Sequence, residues 1–274
     1  MLLNVDIIYM LHVMFRYQFM QHAFEAGTAI AIVAGIIGYL VVLRRTSFAA
    51  HAYAEIGFTG AAGSILVGIN PVLGMLAASL AGGFGIAILG KRAEHRDVEV
   101  GSVLAFALAL GLLFLGMYTG YATEAYSILF GEILGISSSN VFLTVIVSMV
   151  IIAAAALVYR PILFASLDED VAEAKGMPVT LLGIVFMLLL AGAVSIAIQV
   201  SGVLLIFALM VTPAATAIRL AKKPVYAIAI SSGISLFATW AGLIIAFYEP
   251  YPVSFFIVGI VFATYLAVRI IQRK

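Results

Sequence analysis

Runs of about twenty apolar residues recur from one end of this chain to the other, with no polar gap longer than about a dozen residues. Each run is long enough to cross a hydrocarbon core about 30 Å thick. In such a solvent every backbone polar group must be satisfied within its own segment, so the runs are expected as helices. Charged residues amount to 10% of the chain, against roughly 25% in soluble domains. The expected fold is therefore an all-α polytopic membrane protein, with residues 1–274 forming a single transmembrane domain and no soluble one. The chain has no cysteine, which excludes disulfides and thiolate metal sites.

The runs predict nine spans, over 24–43, 48–69, 71–90, 99–118, 141–159, 179–199, 202–221, 225–247 and 253–271, with no internal repeat. Residues 1–21 are interrupted by Asp6, His12 and Arg16, and read as an interfacial helix. No small-residue cleavage site ends that stretch, so no cleavable leader is expected. If the first span runs outside to inside, 13 of the 14 Lys and Arg fall on the inner side and only Arg16 lies outside. That asymmetry predicts an outer N-terminus and a cytoplasmic C-terminus. The outer connections then carry Glu124, Glu132 and Glu249, an acidic mouth that would concentrate cations. Between the fourth and fifth spans, Tyr126–Asn140 is apolar but too short to cross, and its Gly131 and Gly135 suit a short helix packed in the outer half of the bundle.

Within the spans two groups stand out. His51 and Glu55 are four residues apart, which places both side chains on one helical face with Cβ atoms about 5–6 Å apart. Ionisable groups at membrane depth are costly, and they mark ion paths or paired polar contacts. Imidazole nitrogen with carboxylate oxygen is also a ligand set for zinc or manganese. A plain hydrogen-bonded pair against a neighbouring helix would use the same residues.

Two further stretches carry structure-breaking or charge signals. Leu167–Pro178 loads Asp168, Glu169, Asp170 and Glu173 before Ala174 and Lys175, then stops at Gly176 and Pro178. This is the charge polarity of a short capped helix, and a structured inner loop suits a docking surface. Thr212 and Pro213 lie inside the seventh span, where proline kinks a helix and the threonines are expected to take up freed carbonyls. Gly85–Arg92 imitates a phosphate-binding loop, but Arg92 stands where Ser or Thr must hold magnesium. No nucleotide, nucleic acid or bound cofactor is expected for the chain by itself.

Five stretches taken together, Phe19–Ala23, Val41–Phe48, Ile128–Gly135, Asp168–Val179 and Ser201–Leu220, resemble the membrane permease subunits of ABC importers that take up zinc, manganese or iron ions. The resemblance implies a homodimeric pore in the membrane lipid, two cytoplasmic ATP-binding subunits that hydrolyse ATP, and an external solute-binding protein that delivers the metal. It implies that the pore subunit is no enzyme, and that Asp168–Gly176 is the coupling helix received by the ATPase. In that family an Asp usually follows the Ser-Phe pair and a His stands four residues later; here the positions hold His51 and Glu55, the same ligand types in reversed order. The expected function is import of a divalent metal ion, zinc or manganese, by alternating access, with Thr59 among the polar groups available to complete the coordination. Import of a chelated metal would need a wider cavity and no contact between the pair and the ion. A proton-coupled transporter would use the pair as a relay and need no coupling helix, and an intramembrane hydrolase would need a third ligand.

Overall fold

The computed structural model describes residues 12–89, 96–118, 131, 133–203 and 206–272. Ten helices follow one another among them: α1 Gln18–Leu43, α2 Ser47–Leu66, α3 Pro71–Leu89, α4 Arg96–Met117, α5 Ser138–Leu167, α6 Glu169–Ala174, α7 Val179–Ser201, α8 Ile206–Leu220, α9 Pro224–Tyr248 and α10 Val253–Ile271. No strand occurs among the described residues, and every predicted span has a helix at its place.

Six of these helices are long and apolar enough to cross a membrane by themselves: α1, α4, α5, α7, α9 and α10. Of the other three spans, two depart from that pattern for physical reasons. α8 has 15 residues, about 22 Å of helix, which is less than the hydrocarbon thickness. α3 is an apolar helix of 19 residues, close to the length a crossing needs. α2 is built largely from Ala, Gly, Ser and Thr around His51 and Glu55, and most of it is buried against the rest of the chain. A helix enclosed by protein does not need lipid-facing side chains.

Burial follows the same division. α1 and α7 form the centre, and α1 packs on α5, α7, α8 and α9. α2, α3 and α4 form a second group, joined to the first mainly through α7 and also by α2 against α8. α4 and α10 leave most of their apolar surface outside the chain, including Phe106, Leu112, Phe255 and Phe262. Small residues set the closest approaches. A Cβ added to Gly60 of α2 would collide with the Gly74 carbonyl of α3, and one added to Gly38 of α1 would strike the Met210 carbonyl of α8. Backbones this close leave room for glycine alone, as in other tightly packed membrane helices.

Several boundaries differ from the sequence expectation. The first span begins at Gln18, because Tyr17 is extended and the chain turns helical directly after it. Residues 18–21 therefore belong to α1 and not to an interfacial helix; Met14 and Met20 are fully buried, and residues 1–11 lie outside the described residues. The fifth span runs 30 residues through Arg160 and Pro161, so that α5 reaches beyond the hydrocarbon and leads straight to α6. Of the predicted outer-half helix, Ile133–Gly135 is a single 3₁₀ turn and Ser138–Asn140 start α5, while 126–130 and 132 lie outside the described residues, as do Glu124 and the Gly90–Arg92 end of the phosphate-loop lookalike.

Pro213 sits inside α8 and cannot donate to the carbonyl of Leu209, four residues earlier. Ser235 of α9 supplies the missing donor, its hydroxyl reaching the Leu209 carbonyl at 3.2 Å. The threonines do not take this role: Thr216 donates to the Thr212 carbonyl at 2.8 Å. Ser235 is fully buried, so Ser235→Ala strands a carbonyl in an apolar interior. We expect a loss of about 1 kcal/mol, between the value for an intramembrane hydrogen bond and that for a buried unsatisfied group. Thermal unfolding of the detergent-solubilised protein measures it, and an unchanged midpoint would remove Ser235 from this role.

Candidate functional site

α2 begins at Ser47 after a tight turn in which Arg45 adopts φ 56° and the Thr46 N–H reaches back to the Val41 carbonyl at 3.0 Å. The turn fixes where α2 enters the bundle, next to the end of α1. His51 and Glu55 both lie on α2, one turn apart. The His51 ring is half-buried and meets the edge of Phe207 from α8, with centroids 6.4 Å apart and planes at 83°. Glu55 is buried, 7% exposed, and its Oε2 has no hydrogen-bond partner among the described residues.

That orphaned oxygen is the notable chemistry of the site. Buried polar atoms are almost always paired, and an unpaired carboxylate oxygen inside a protein is costly. Around the pair the helix carries small side chains, with Gly57 held close to Ile198 of α7 and Ser79 of α3. Thr59 lies one turn further on. Its hydroxyl donates to the Glu55 carbonyl at 3.0 Å and also approaches the Ala107 carbonyl of α4, so it ties α2 to α4. Among the described residues no group of three or more His, Asp or Glu side chains converges. The chain thus offers two ligand-type side chains on one helical face rather than a closed cage of four, which is what distinguishes an open site from a structural one.

The second predicted region is assembled as its charges indicated. Asp168 caps α6, accepting from the Val171 N–H at 3.0 Å, and Glu169 and Asp170 occupy the first turn. At the other end Gly176 adopts φ 76°; its N–H reaches the Glu173 carbonyl at 2.8 Å and the Met177 N–H reaches the Ala172 carbonyl at 3.1 Å. Two bonds of that pattern close a helix on a left-handed residue, which glycine adopts without penalty. Ala172 is fully buried and seats α6, and the Lys175 ammonium stands 4.8 Å from the centre of the Phe164 ring of α5. Asp168, Glu169, Asp170, Glu173, Ala174 and Gly176 are all exposed. A short helix is thereby fixed to the bundle on one side and presents an acidic face on the other.

The sequence did not reveal how the turn before α2 is tied to α5 and α7. Arg44, three residues before α2, donates to Ser166 Oγ near the end of α5 at 3.2 Å and lies 5.0 Å from the centre of the Phe186 ring of α7. The Arg-Arg pair was visible in the sequence, but its partners are more than 100 residues away. Phe207 against His51 was hidden for the same reason, and Ser235 against Leu209 because the two residues lie on different helices.

Residues 16–272 match the ABC 3 transport family. The chain is 33% identical over 209 residues to the manganese transport system membrane protein MntC of Listeria monocytogenes, covering 76% of this chain and 74% of that protein. It is 30% identical over 233 residues to the manganese import system permease protein ScaB of Streptococcus parasanguinis, covering 85% and 83%. Among solved structures it superposes on PsaBC from Streptococcus pneumoniae with a TM-score of 0.86 at 28% identity, covering 96% of this chain and 95% of that one. A metal-chelate type ABC transporter in an inward-facing conformation shares the fold alone, at a TM-score of 0.62 and 15% identity. With a match over nearly its whole length and relatives named as membrane permeases, this chain belongs to the ABC 3 transport family.

Proposed function

We propose that the chain is the pore subunit of an ATP-driven importer of free divalent metal ions, manganese or zinc, acting as a multi-pass protein of a bacterial plasma membrane. The observation that carries the reading is Glu55, buried with one oxygen unpartnered on the same face of α2 as His51. A conducted ion must bind well enough to enter and weakly enough to leave. Two protein ligands per subunit, completed by water or by the same pair from a second copy in a homodimer, fit that requirement better than a closed site. Manganese transport by MntC and import by ScaB support this cargo. The chelate alternative has support from a shared fold alone.

The chemistry of ATP hydrolysis belongs to separate cytoplasmic subunits, which dock on the exposed face of α6. An external binding protein hands over the metal. The N-terminus lies outside and the C-terminus inside, as the distribution of 13 of 14 basic residues indicates. A cysteine at Ser138 then labels from the outside only and one at Glu169 from the inside only; labelling of both from one side rules out this orientation. For the cargo, cells carrying the complete transporter should accumulate radiolabelled manganese, and excess unlabelled manganese or zinc should dilute the label. Dilution by a ferric chelate, with none by the free ions, would transfer the assignment to chelated metal.

A further inference from the structure

Basic side chains gather at the corner of the bundle where α8 and α10 end and α9 begins. Gln272 Nε2 donates to the Arg219 carbonyl at 2.7 Å, and the Arg219 guanidinium stands 5.9 Å from the centre of the Tyr265 ring. Tyr265, Arg269 and Gln272 are spaced i, i+4 and i+7, so they share one face of α10. Arg219 therefore lies against the face that carries Arg269. Lys222 and Lys223 follow on the exposed connection to α9, with the Lys223 ammonium 5.9 Å from the centre of the Tyr226 ring.

Nothing in this third of the chain neutralises them. From Lys175 to Lys274 the sequence holds a single carboxylate side chain, Glu249, which stands at the far end of α9, a 25-residue helix about 37 Å long. The acidic helix α6 packs instead on α5 and α7. Large apolar side chains adjoin the basic corner and are exposed: Leu220, Val225, Ile270 and Ile271. A ligand that suits all of this carries a negative charge joined to hydrocarbon.

We propose that this corner binds an anionic phospholipid, with Arg219 and Arg269 on the phosphodiester oxygens and the lysines adding long-range attraction. Tyr226 and Tyr265 stand at headgroup level, where aromatic side chains collect, and the acyl chains cover the adjoining apolar residues. An acidic protein surface would meet the charges but leave Val225, Ile270 and Ile271 facing water.

The test uses the full-length permease in detergent, titrated with phosphatidylglycerol or with phosphatidylcholine of the same acyl chains and followed by native mass spectrometry. Phosphatidylglycerol should be retained in preference, and Arg219→Gln with Arg269→Gln should weaken its retention about 30-fold, from about 1 kcal/mol per basic group. Arg160→Gln, an exposed position within α5, should leave retention unchanged. Should the double variant not fold, Lys222→Gln with Lys223→Gln on the exposed connection carries the same test and the same expected loss. Equal retention of phosphatidylcholine overturns the proposal, as does retention of phosphatidylglycerol unchanged in the variants. Inorganic phosphate displacing the lipid at matched ionic strength would make this a free-anion site. Loss of ATP-binding-subunit association with lipid retention intact would make it a protein contact.

Discussion

Replacing His51 and Glu55 together by leucine should leave a folded permease that no longer moves metal. Removing both polar groups is close to neutral for stability, within about 1 kcal/mol, because no orphaned group remains. Glu55 carries an oxygen with no hydrogen-bond partner among the described residues, so its removal relieves a cost rather than creating one. Insertion, dimer formation and ATPase association should survive, while metal uptake falls at least 100-fold. The single change His51→Ala should behave differently, since it removes the ring packed against Phe207 and leaves the buried Glu55 in place, and about 1 kcal/mol of stability goes with it. The exchange pair His51→Asp with Glu55→His keeps one imidazole and one carboxylate on the same helical face, and should retain uptake of some divalent ion. A purely structural pair predicts the opposite ranking, with full uptake in any variant that remains folded.

The second large effect is expected at α6. Ala174→Arg places a long cation on the exposed acidic face without disturbing the buried Ala172 that seats the helix. Membrane insertion and thermal stability should stay within about 0.5 kcal/mol of the parent, as for most surface changes. Binding of the ATP-binding subunits should weaken at least tenfold, or hydrolysis should continue without transport. Ala172→Arg is the informative contrast, because it drives a charge into the contact between α6 and the bundle and should destabilise the permease itself. Pull-down of the ATP-binding subunits beside a melting curve separates the two. An Ala174→Arg protein that associates and transports normally would remove α6 from the coupling role.

Much of the architecture was readable from the chain because membrane helices report themselves through composition alone. The short helix at Asp168–Gly176 was equally legible, since its cap, its acidic first turn and its stop at Gly176 are local features. Ends were harder. Arg160 and Pro161 look like the finish of a span, yet α5 continues through them, because Ile162 and Ala165 beyond them are buried against the bundle. The pair at His51 and Glu55 could be found as an anomaly of polarity, but nothing local reveals that Phe207 lies against the imidazole. Likewise Pro213 announces a freed carbonyl, while the residue that satisfies it, Ser235, comes from another helix 26 positions from Leu209. Candidate sites were legible where they changed the polarity of a helix, and contacts were hidden where they depended on which helices meet.

On the proposed mechanism, ATP-driven passage of a divalent ion runs past His51 and Glu55. Its most direct test is manganese accumulation in sealed vesicles holding the permease with its ATP-binding subunits and external binding protein, compared with the His51→Leu, Glu55→Leu variant at matched thermal stability. Accumulation should require ATP, survive collapse of the proton gradient and be absent from the variant. Full accumulation by the stable double variant, or uptake that follows the proton gradient instead of ATP, would contradict it.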